Sequence, residues 1–97
     1  MRRDEAIARL KGQEAALRRL GVTGLWLFGS VARDEAGPRS DVDLFLDYEK
    51  GRLGLFGLME AQDLAAAALG RKADVTTRDA LHPVIRPGVE AAAIQVF

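Results

Sequence analysis

The sequence predicts an α/β chain in which helices and strands alternate. Three observations carry that prediction: a helical periodicity over residues 3–20 closed by Gly21, a two-residue alternation over Asp41 to Asp47, and a second helical periodicity over 55–69 closed by Gly70. Hydrophobic residues make up 48% of the 97 positions, enough for one packed core, and the chain is too short for two domains. Residues 1–97 are therefore expected to form a single domain.

The first helix places Ile7, Leu10, Leu17 and Leu20 on one face, with Arg9, Lys11, Glu14 and Arg18 elsewhere. Gly24-Leu25-Trp26-Leu27-Phe28 is a short apolar run after the Gly21 stop, expected as a buried strand with Trp26 and Phe28 in the core. Ser30 begins a short helical turn reaching about Asp34, and Gly37-Pro38 marks a loop over 35–39. The next strand sets Val42, Leu44 and Leu46 on one face and Asp41, Asp43, Phe45 and Asp47 on the other. Phe45 thus has two readings, a contact for a base or a core position.

Leu58, Ala61, Ala65 and Leu69 form one side of the helix over 55–69. Lys72 to Thr76 reads as a third strand, with Asp74 opposite Ala73 and Val75. Pro83 fits the first position of a last helix, which Pro87-Gly88 should kink or shorten. The apolar tail, residues 93–97, suits an edge strand or a partner contact. Asp47 and Glu49 read as solvated strand-end charges, and His82 as a helix-start or partner-surface residue.

Fourteen basic and fourteen acidic residues give no net charge, which argues against a broad nucleic-acid footprint. The chain has no cysteine, so disulfides and thiolate-held metals are excluded. No apolar run is long enough to span a membrane, and Met1 to Leu10 lacks the apolar stretch of a signal peptide. A cytoplasmic protein is expected.

The chemistry concentrates between Phe28 and Asp74. Asp41 and Asp43 stand one residue apart on a strand, roughly 7 Å along the backbone, and point the same way. Carboxylates so spaced suit a hard cation such as Mg2+. Gly29 permits close backbone approach to a ligand, and Ser30 opens a helical turn whose free N–H groups suit phosphate. No Walker loop is present, because no Gly-Lys-Ser/Thr follows. Arg33 is placed to add a charge-assisted phosphate contact. Ser40 either braces the turn before the strand or meets the nucleotide directly. Asp74, on a neighbouring strand, is the best third carboxylate, completing a metal site and helping to deprotonate an attacking hydroxyl.

The joined pattern of Gly29-Ser30, Arg33, Ser40-Asp41-Val42-Asp43 and Asp74 resembles the minimal nucleotidyltransferases of the polymerase-beta-like superfamily. The resemblance covers nearly the whole chain, including Leu81-His82-Pro83 and the apolar C-terminus. It implies a small mixed β-sheet flanked by helices, with Gly29 and Ser30 on the triphosphate. It implies one or two Mg2+ ions on Asp41, Asp43 and Asp74, with ATP as substrate. It also implies a HEPN-type helical partner, for which the chain is the antitoxin, and AMP transfer to a tyrosine of that partner. The alternative is a non-catalytic antitoxin that neutralises the partner by occlusion. A nucleic-acid polymerase is disfavoured, since the chain is neutral and has no room for a template-binding domain. Homo- and hetero-oligomers both remain open.

Overall fold

In the computed structural model, which describes residues 1–97, the predicted first helix is two: α1 (Arg3–Lys11) and α2 (Glu14–Arg19). Gly12 lies at the break, where glycine weakens a helix interior, and Gln13 leaves the helical basin at φ −101° and ψ 5°. The chain restarts as α2 and still buries Leu17 beside Leu10 of α1.

The remaining elements are β1 (Val22–Phe28), α3 (Gly29–Ala32), β2 (Val42–Tyr48), α4 (Leu55–Leu69), β3 (Ala73–Thr77), a 3-10 turn (Arg78–Ala80), α5 (Arg86–Ala92) and β4 (Ile94–Gln95). The sheet order is β3-β2-β1-β4. β1 pairs antiparallel with β2 and β4, whereas β2 and β3 run parallel, so the sheet is mixed. The parallel pair needs a crossover, which α4 supplies. Gly70 ends α4 in the left-handed region at φ 67°, and Arg9 Nη1 donates to the Leu69 carbonyl at 3.0 Å.

Register divides the sheet into two faces. Leu25 opposite Leu46, Leu27 opposite Leu44, and Val42 beside Ala73 make one face. These side chains pack with Ala6, Leu10, Ala61, Ala65 and Leu69 into the aliphatic core. The other face carries Trp26 opposite Phe45, Phe28 opposite Asp43, and Asp43 beside Asp74.

Three expectations are corrected here. Trp26 and Phe28 are not core residues: the alternation sends them to the second face, where both stay partly exposed. The last helix starts at Arg86 rather than Pro83, and Pro87 falls in its first turn, where a missing N–H costs no bond. Residues before it form a turn in which the Ile85 and Arg86 N–H groups donate to the His82 carbonyl. The C-terminal tail does form an edge strand, but Val96 is buried in the core rather than available as a contact. The large apolar side chains left exposed are Leu55, Phe56 and Met59 at the start of α4, and Val84 and Ile85 before α5. No helix is long and apolar enough to cross a membrane.

Candidate functional site

The second face holds the candidate site because β1 turns into α3 directly beside β2. Gly29 makes that turn at φ +77°, and a Cβ there would collide with the Asp43 carboxylate. The position therefore requires glycine for both its conformation and its space. α3 has no preceding helical carbonyls, so its first N–H groups have no partner within the helix. Its far end is braced: Asp34, at φ 56°, accepts the Arg3 N–H at 2.6 Å, which fastens the turn to α1.

Asp43 lies in β2 at register with Asp74 of β3, on the same face. Asp41 sits immediately before β2 and meets Lys72 Nζ at 3.7 Å through Oδ2. Burial pushes the Asp43 carboxyl above the usual carboxylate range, and the charges of Asp74 and Asp41 push it further, while Arg33 pulls it down. The structure thus brings Gly29, Asp41, Asp43, Asp74 and Arg33 into one electrostatic neighbourhood.

Ser30 lies in the first turn of α3. The Arg33 guanidinium reaches Glu35 at 2.9 Å on the surface. The Ser40 hydroxyl accepts the Gly37 N–H at 2.9 Å, which braces the loop before Asp41. No three carboxylate or imidazole side chains converge on one point.

Sequence reasoning missed Arg78. Its Nε and Nη2 donate to Asp47 at 2.9 and 3.1 Å, and its Nη1 donates to Glu90 of α5 at 2.5 Å. The same guanidinium lies 4.5 Å from the Trp26 ring centroid and 5.0 Å from that of Phe45. Phe45 stacks on Trp26, with centroids 5.3 Å apart and rings within 5° of parallel. Phe45 is consequently buried on the site face, beneath Arg78, and does not join the aliphatic core. Asp47, partly exposed as its strand-end position suggests, is also an ion-pair partner of Arg78. Alternation announces which face Asp47 takes, but nothing local announces a partner 31 residues away. His82 accepts the Val84 N–H through Nδ1 at 3.1 Å, in keeping with a turn-forming role before α5.

Residues 10–95 match the family described as the nucleotidyltransferase domain. The protein adenylyltransferase MntA of Thermococcus cleftensis is 35% identical over 78 residues, covering 80% of this chain and 78% of that protein. A solved minimal nucleotidyltransferase superposes with a TM-score of 0.84 at 32% identity, over 97% of this chain and 95% of its own. A chain of the complex between a tri-AMPylated Shewanella oneidensis HEPN toxin and an MNT antitoxin gives a TM-score of 0.63. That match is 19% identical and covers 90% of this chain and 68% of the other, a likeness of fold alone.

Proposed function

The chain belongs to the nucleotidyltransferase family, and from that premise we propose that it moves AMP from ATP onto a tyrosine of a HEPN-type helical partner, using Mg2+. The observation that carries the reading is the Gly29 backbone seated on the Asp43 carboxylate, with Asp74 alongside. This geometry joins a phosphate-binding turn to an acidic pair with no side chain between them.

The donor set fits Mg2+. Two carboxylates, Asp41 and Asp43, suffice for an ion that completes its shell with water and substrate phosphates, so convergence of three side chains is not required. The Asp43 carboxyl, raised by burial and then by the charges of Asp74 and Asp41, marks a place where a cation would stabilise the ionised form. Mg2+, when bound, neutralises charge on the attacking and leaving oxygens. Gly29 and Ser30 hold the triphosphate through backbone N–H groups and the hydroxyl, with Arg33 adding charge. Ser40 acts from its loop by holding Asp41 in place. Asp74 takes the proton of the acceptor hydroxyl. The acceptor oxygen then bonds to the α-phosphorus, the bond to the bridging oxygen breaks, and its electron pair leaves with pyrophosphate.

The HEPN partner is inferred from the antitoxin complex that shares the fold and from the adenylyltransferase relative. The exposed Leu55, Phe56 and Met59 leave apolar surface for such a subunit. A cytoplasmic location is part of the same proposal, and the availability of ATP there supports it.

The test combines this chain, a HEPN-type partner, Mg2+ and α-labelled ATP, followed by mapping of the labelled residue. Label on a partner tyrosine, absent with Asp41→Asn, is the expected result. A tight complex with no label, and neutralisation retained by Asp41→Asn, would replace this reading with the occlusion antitoxin.

A further inference from the structure

We propose that the groove between α3 and α5 is the nucleobase pocket of the donor nucleotide, and that it accepts the base by shape without reading its edge. The inference rests on the nucleotidyl-transfer reading and extends it to base selection. Phe28, Gly29 and Arg33 form one side of the groove, and Ile85, Gly88 and Val89 are on the other, around about 430 Å³. That volume lies within the range of small-molecule pockets.

The groove is continuous with the phosphate turn, because Gly29 both lines it and sits on Asp43. A nucleotide whose phosphates lie along Gly29 and Ser30 therefore has an apolar recess within reach. Ile85 is 53% exposed and its neighbour Val84 is 80% exposed, so a large apolar surface is left in water at the rim. A planar base laid there would cover it.

Gly88 lines the groove on the α5 side. A Cβ at Gly88 would meet nothing within 4 Å, so the space opposite is open to a ligand. Arg33 is the one charged side chain in the lining, and with its Nε held by Glu35 its guanidinium offers a flat face on which a base can stack. The other lining side chains carry no hydrogen-bonding group. Stacking on such walls tolerates any base, since every base has a π-face. The groove should therefore bind ATP, GTP and CTP within about tenfold of one another.

Gly88→Leu tests this cleanly. It adds a branched side chain at a lining position where a Cβ meets nothing within 4 Å, and leucine favours a helix more than glycine does. Binding of Mg-ATP and of Mg-tripolyphosphate is measured by calorimetry on both proteins. The expected result is an ATP Kd raised about tenfold in the variant, with tripolyphosphate unchanged. Ile85→Ser, at an exposed position, should give the same pattern more weakly and serves if Gly88→Leu does not fold. Unchanged ATP affinity in the variants overturns the proposal and leaves the groove to a protein partner. Equal losses for ATP and tripolyphosphate overturn it too, since the phosphates would then occupy the groove. A wild-type protein that binds neither ligand refutes the nucleotidyl-transfer reading itself.

Discussion

The two faces of the sheet are made by the same strands and closed by opposite means. Behind β2, Val42, Leu44 and Leu46 lie under α1 and α4 in a wholly aliphatic core. In front, Phe45 and Trp26 are covered by the Arg78 guanidinium, which Asp47 and Glu90 hold in place. Aliphatic closure excludes water and is uniform along the strand. Ionic and aromatic closure covers one end of the face and leaves the Asp43 end open. The difference teaches how a small chain keeps a site: it seals one side for stability and half of the other for position.

The largest expected effect lies at the open end. Gly29→Ala should reduce AMP transfer by at least about a hundredfold, because the new methyl displaces the Asp43 carboxylate. Stability should fall by at least about 1–2 kcal/mol, the cost of a left-handed alanine, with the collision at Asp43 adding to it. Transfer at the wild-type rate would break the claim that this close approach sets the site.

On the sealed face, Leu44→Ala should cost about 2–5 kcal/mol in denaturant unfolding, since Leu44 is fully buried. A smaller effect is expected for Arg78→Met, about 1–2 kcal/mol, because the pairs it breaks are partly exposed. Its ATP Kd should also rise if Glu90 holds α5 against the sheet. Loss of stability as large as that of Leu44→Ala would erase the contrast between the faces.

The smallest effect concerns pH. The Asp43 carboxyl is raised in the folded protein, so the native state binds more protons there than the unfolded chain does. Stability contributed by this group is therefore lost as pH rises from the ordinary aspartate range through the raised folded value. Asp43→Asn should remove that decline and raise the Tm of the metal-free protein at neutral pH by a few degrees. Thermal melts in a chelator across the acidic range check it. A lower Tm for Asp43→Asn at neutral pH would show that the carboxylate is stabilised by contacts rather than disfavoured by burial and by its acidic neighbours.

Much of this was legible in the sequence. The alternation at 42–46 set Val42, Leu44 and Leu46 inward, and Asp43 lies on the opposite face at register with Asp74. Gly29 was marked for close approach, although its contact proved to be with Asp43 as well as with space for a ligand. Trp26 and Phe28 misled because hydrophobicity does not say which face is sealed, whereas the core reading of Phe45 fits its burial. The cover over Trp26 and Phe45 comes from Arg78, which reaches Asp47 across 31 residues and Glu90 across 12. The break at Gly12 and the late start of α5 turn on single backbone angles that periodicity averages away.

The most direct test of the central claim compares α-labelled with γ-labelled ATP, in wild-type protein and in Asp43→Asn, with Mg2+ and a HEPN-type partner present. The account predicts covalent transfer of the α label alone, pyrophosphate released in equal amount, and neither in the variant. Transfer of the γ label, or α transfer undiminished by Asp43→Asn, would contradict it.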